Sequence, residues 1–217
     1  MHRRRDLAGR ECEPCGQIYL RTWVPIFEDM ISLSPYQPTW PSEFRELGAT
    51  LRHHLGSLAL RIDHIGSTSV PGLAAKDIID IQVTVEALLP AVEEAIMAAG
   101  YVRARPLTDH VPPGGDADPT QWQKWVFQPR GGRRINLHVR IEGRANQRYA
   151  LLFRDYLRAN PLVARAYEQV KAGIIKYHPE EDMDAYYDIK DPVCDIIMGG
   201  AEVWAEASAW VVGGSDC

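Results

Sequence analysis

The chain has 217 residues, of which 46% are apolar and 24% charged, with a formal charge of −5 at pH 7. This composition suits one substantial core, or a core with a helical appendage, and the acidic balance argues against nonspecific nucleic-acid binding, which depends on clustered Lys and Arg. No apolar run reaches the roughly 18 to 20 residues of a membrane span, and Met1–Arg5 leads into charged residues instead of a signal-peptide core, so a cytoplasmic protein is expected.

Residues 1 to about 16 are Arg-rich and aperiodic and read as a mobile arm. Within it Cys12 and Cys15 form a lone C-x-x-C. With Cys194 and Cys217 they are too few and too unevenly spaced for a disulfide framework, and zinc is a minor reading without a second pair. Apolar positions from Ile18 to Ile31 recur by threes and fours, which predicts an amphipathic helix despite Pro25. Pro35, Pro38 and Pro41 make an extended entry, and Ser42 reads as the N-cap of a helix carrying Phe44, Leu47, Leu51 and Leu55.

A strand is expected from about Leu58 to Gly66, a tight loop after it, and a second strand from Asp77 to Val85. Leu88, Val92, Ile96 and Ala99 describe one helical stripe that Gly100 ends. Tyr101 to Arg105 is a short strand candidate, and the Pro- and Gly-rich stretch that follows, to about Pro119, reads as a lid or a disordered loop. Lys124–Gln128 and Arg134–Ile141 alternate and join through Arg130-Gly131-Gly132-Arg133, a hairpin signal. Three helices follow from Tyr149, with Asn160-Pro161 and Asp191-Pro192 as boundaries, and Gly213–Cys217 reads as a frayed tail.

The chemistry gathers around the first loop. Small residues and glycine at Gly66, Ser67, Thr68 and Ser69 let backbone N–H groups form a concave anion site to which the hydroxyls add donors. On the following strand Ile78, Asp80, Gln82 and Thr84 share one face, so Asp80 projects beside the loop. A carboxylate in an apolar strand asks for a cation, which suggests nucleotide with magnesium. Asn136, His138 and Arg140 line one face of a later strand. The two polar faces read either as the solvent side of a sheet or as the wall of a cleft. Lys171 follows Tyr167 by one helical turn and Lys190 follows Tyr186 likewise, so each pair presents an aromatic plane with an ammonium on one helix face.

The run from His64 to Ile81 resembles the signature of the GrpB family, whose fold belongs to the nucleotidyltransferase superfamily. A Gly-Ser loop there precedes, by about a dozen residues, a strand carrying Asp-x-Asp or Asp-x-Glu. Pro35-Tyr36, Trp40-Pro41, Asn136-Leu137-His138-Val139, Phe153 to Arg158, Tyr167, Lys171, Tyr186 and Lys190 support the resemblance. It implies an α/β fold with a mixed central sheet flanked by helices and a helical C-terminal part from about residue 149. The division expected is an N-terminal extension over 1–31, the domain over 32–206 and a tail over 207–217.

The function implied is magnesium-dependent transfer of a nucleotidyl group from a nucleoside triphosphate to a small-molecule acceptor, or adenylation of that acceptor. Asp80 is then the metal ligand and, with His138, the catalytic candidate; Gly66, Ser67, Thr68, Ser69, Lys76, Lys171 and Lys190 are phosphate or nucleotide contacts. His64, Gln82, Asn136 and Arg140 support them from behind. Gln82 departs from the superfamily pattern, which places a second carboxylate there. That departure keeps open a second expectation, a non-catalytic nucleotide- or phosphate-binding module linked to coenzyme A metabolism.

Overall fold

The computed structural model describes residues 32–104, 107–177 and 183–217. The helix expected over residues 18–31 and the Cys12–Cys15 pair lie outside them. Five strands form one mixed sheet: β1 (Arg61–Ile65), β2 (Ile79–Val85), β3 (Tyr101–Arg103), β5 (Gln123–Pro129) and β6 (Ile135–Ile141) stand in the order β1-β2-β6-β5-β3, with the two residues of β4 (Leu107–Thr108) attached to β5. Only β2 and β6 run parallel. Helices α1 (Trp40–Leu55), α2 (Pro90–Ala98), α3 (Ala145–Ala159), α4 (Pro161–Tyr177) and α5 (Met183–Ala207) complete the α/β architecture and its helical C-terminal part.

The alternation along β2 decides which layer goes where. Ile79, Ile81, Val83 and Val85 are buried against Trp40, Phe44, Leu51 and Leu55 of α1 and Val92 and Ile96 of α2. On the opposite face Gln82 and Thr84 are fully buried too, because α3 and the segment around Asp109 cover it. The polar face is therefore an interior wall, which removes the reading of a solvent-facing sheet side. Parallel pairing of β2 with β6 suits that double burial, since parallel strands need cover on both faces. Beyond the sheet, α3, α4 and α5 bury Leu152, Leu157, Tyr167, Ile197, Met198 and Ala201 among themselves.

Several expectations change. Helix α1 starts at Trp40, not at a Ser42 cap: Pro41 occupies the first turn, where its fixed φ and missing N–H cost nothing, and Ser42 Oγ donates to Thr39 O. Pro192 is no boundary but lies inside α5. It faces solvent, while Tyr186, Cys194, Ile197 and Ala201 on the buried side hold both halves of the helix against their neighbours. The stretch expected as a lid is anchored: Leu107 and Thr108 pair with Lys124 and Gln123, and Trp122 Nε1 donates to Asp116 O at 2.8 Å.

The tail does not fray. Cys217 N donates to Ile62 O at 3.1 Å, Ser215 Oγ accepts from Ile62 N at 2.9 Å, and Arg52 Nη2 donates to Cys217 O at 2.9 Å. These bonds run along β1, the open edge of the sheet, so the tail satisfies backbone groups that an uncovered edge would leave to water or to another chain.

Candidate nucleotide site

Gly66 takes φ +69°, ψ −175°, a conformation nearly confined to glycine. Position 66 tolerates nothing larger, since an added Cβ would lie 2.8 Å from the carboxylate carbon of Asp80. The cause is register: Ile65 pairs with Asp80 across β1 and β2, so the chain leaving β1 passes directly over that side chain. Residues Ser67–Ser69 then form one short 3-10 turn. Thr68 and Ser69 are buried and their hydroxyls serve the loop itself, with Thr68 Oγ1 between His64 Nε2 (3.0 Å) and Ile78 O (3.3 Å) and Ser69 Oγ donating to Gly66 O at 2.6 Å. Ser67 is the hydroxyl that meets Lys171.

Lys171 of α4 reaches across to the loop. Its ammonium, on a residue 2% exposed, donates to Ser67 Oγ at 3.0 Å and to Ala74 O at 2.7 Å and stands 4.8 Å from the Tyr167 ring centroid. Burial pushes Lys171 down to about 8, with Lys190 adding to the effect. Lys76 is also pushed down to about 8, by burial first and then by Lys190 and Arg134. The expected pairing of Lys190 with Tyr186 is exchanged: Lys76 Nζ lies 3.7 Å over the Tyr186 ring, while Lys190 stands 5.7 Å from the Tyr187 ring and 3.4 Å from Asp191. Asp80 acts electrostatically on Lys76, Lys171, Tyr186 and Tyr187, so loop, strand and both helices converge on one place.

Behind Asp80 the wall is a connected polar network. Asn136 Nδ2 donates to Asp80 Oδ1 at 2.9 Å. Gln82 Oε1 accepts from Arg140 Nη1 at 2.7 Å, and Gln82 Nε2 donates to Gln147 O at 3.2 Å. Arg140 in turn forks onto Asp109 at 3.0 and 3.1 Å, and Asp109 also accepts from Lys124 and from Asn146. Burial works against the Asp109 charge, but Arg140 and Lys124 hold its carboxyl well below the usual range. Sequence reasoning missed Asp109, Lys124, Asn146 and Gln147, because one Asp in a proline-rich stretch carries no local sign of a partner 31 residues away.

The two histidines separate. His64 is stacked on Phe44 at 4.7 Å, and burial pushes it down to about 4, so it is a neutral core residue at neutral pH. Its backbone joins the same clamp, with His64 N donating to Asp216 and His64 O accepting from Arg154, itself bonded to Asp155 and Asp216. His138 stands at the site: Nε2 is 3.9 Å from Asp80 Oδ1, Nδ1 is buried without a partner among the described residues, and burial lowers its pKa.

As a metal donor set these residues are sparse. Among the described residues no group of three or more His, Cys, Asp or Glu side chains is placed to hold an ion. Asp80 offers one carboxylate, and the Gln82 oxygen is taken by a guanidinium. That fits one magnesium ion sharing its shell with substrate phosphates, a usual arrangement for this ion, and does not fit a pair.

The model of a family described as GrpB protein matches residues 30–199. A dephospho-CoA kinase of Mycolicibacterium paratuberculosis is 37% identical over 196 residues, covering 83% of this chain and 48% of the relative, so the chain spans about half that protein's length. The UPF0157 protein SCO7215 of Streptomyces coelicolor is 37% identical over 75% of this chain and 80% of its own length. The crystal structure of the conserved protein GrpB from Enterococcus faecalis superposes with a TM-score of 0.63 at 29% identity, covering 80% of this chain and 99% of that one. No helix among the described residues is long and apolar enough to cross a membrane.

Proposed function

Because this chain belongs to the GrpB family, we propose from its site that it binds a nucleoside triphosphate and transfers the nucleotidyl group to a small-molecule acceptor. The observation that carries the reading is the Gly66–Ser67 turn packed on Asp80 with the Lys171 ammonium seated on Ser67. In it Ser67, Lys171, Lys76 and Lys190 hold the phosphates, point cations being suited to that task, and the Tyr186 and Tyr187 rings offer faces for a base. Asp80, steadied by Asn136, would hold a magnesium ion, which when bound would supply charge neutralisation to the reacting phosphate. His138, held neutral by burial, accepts the acceptor's proton through Nε2.

A thermal-shift panel of nucleoside triphosphates with and without magnesium tests the reading. Binding to the folded state raises the melting temperature, by about 2.7 kcal/mol of stability at a hundredfold excess over Kd. No shift with any nucleotide or phosphate ester at millimolar concentration ends it.

The neutral, engaged Gln82 favours a second reading, a nucleotide-binding module without turnover. The name of the dephospho-CoA kinase relative, 48% of which the match covers, supports linking such a module to coenzyme A metabolism. Asp80→Asn separates the two. An enzyme loses activity by orders of magnitude, whereas a module keeps its nucleotide affinity.

A further inference from the structure

Two metal ions on one strand face need acidic ligands that can share them. Asp80 and the residue two places on, Gln82, occupy that face, but the Gln82 oxygen accepts from Arg140 at 2.7 Å. Arg140 cannot swing aside cheaply: its other edge is forked onto Asp109, and releasing it would leave that buried carboxylate short of a partner. A guanidinium thus engages the oxygen that Gln82 would have to offer a second cation.

In front of that wall the ammonium groups of Lys76, Lys171 and Lys190 gather near Asp80, with Glu168 acting on Lys171 and Asp191 standing 3.4 Å from Lys190. Lys190 depresses both Lys76 and Lys171, so the three share one neighbourhood with Asp80. Lys171 has three N–H donors, and its described hydrogen bonds, to Ser67 Oγ and Ala74 O, use two of them on neutral oxygens. Lys190 is partly answered by Asp191 at 3.4 Å, and Lys76 sits on an aromatic face. Lys76 on its aromatic face and Lys171 on its neutral oxygens are ammonium groups held at a desolvation cost, which an anion carrying several charges would offset.

We infer that this site binds polyphosphate without a metal ion, fixed cations on Lys76, Lys171 and Lys190 neutralising the ligand while Arg140 keeps Gln82 out of metal ligation. The inference rests on the nucleotide reading above and narrows it: a metal ion, where present, serves the transfer and not the binding.

Titration calorimetry on the full chain tests it with three probes: ATP in EDTA, ATP with magnesium, and inorganic tripolyphosphate in EDTA. The expected result is an ATP Kd in EDTA within about threefold of that in magnesium, and measurable tripolyphosphate binding. Lys76→Met and Lys190→Met each weaken tripolyphosphate by about tenfold, as expected for loss of a charged contact. Gln82→Glu leaves the EDTA-to-magnesium ratio near one, since Arg140 pairs with the new carboxylate. ATP binding that disappears in EDTA and returns with magnesium overturns the inference and spares the proposed function. Tripolyphosphate binding without ATP binding does the reverse, and binding of neither probe overturns both.

Discussion

At Gly66 two requirements meet in one residue: a backbone conformation that side chains avoid, and a Cβ position already filled by the Asp80 carboxylate. Gly66→Ala is expected to cost about 1 to 3 kcal/mol from the conformation alone, with the steric conflict added. Chemical denaturation should show that loss together with lost nucleotide binding, whereas Gly72→Ala, with a positive φ but open space around it, loses stability alone. A Gly66→Ala protein as stable as wild type would show that the contact with Asp80 gives way freely. The glycine was legible as part of a phosphate loop. Its reason, the carboxylate beneath it, needed the Ile65–Asp80 register.

Elements contribute by what they carry to the loop. The stretch between β3 and β5, which reads as a lid by composition, is fastened through Asp109 to β6 by Arg140, to β5 by Lys124 and to α3 by Asn146. Asp109→Ala strands a buried guanidinium and a buried ammonium, a loss of about 3 to 5 kcal/mol for one partner of a buried pair. Thermal unfolding should reveal it, and a loss below about 1 kcal/mol would show that water replaces the carboxylate at little cost. Helices α4 and α5 were visible from their stripes, as was the notion that each brings a lysine and a tyrosine. Which lysine covers which ring depends on how α5 lies over the loop, so Lys76 and not Lys190 meets Tyr186.

For the whole molecule, the lysine cluster couples stability to pH. Lys76 and Lys171 titrate near 8 when folded and near the ordinary 10.5 when unfolded, so between these values the unfolded chain binds more protons and stability rises with pH. Each contributes at most about 1.4 kcal/mol per pH unit. Above pH 9 Cys194, its thiol pushed up by burial, and above pH 10 Tyr186, pushed up to about 12 by burial, act the other way, which confines the gain to pH 8–9. Melting temperatures should therefore climb from pH 8 to 9, and flatten in Lys171→Met. Polyphosphate affinity runs opposite, falling as pH passes 8 because the ligand needs both lysines charged. A melting temperature that falls across this range in the free protein would contradict the buried-cation account. The Gly-Ser turn before Asp80 and the hairpin around Gly131-Gly132 are written in neighbouring residues through turn chemistry and periodicity, while the α/β class came through the family resemblance carried by the His64–Ile81 run. It takes the folded chain to show that the polar strand face is interior, that Gln82 is held by Arg140 and Arg140 by Asp109, that Asp216 of the tail clamps Arg154, and that Thr68 and Ser69 turn inward. Those facts depend on side chains meeting across long stretches of chain, where hydrogen bonding and desolvation select the partner and local pattern leaves no trace of it.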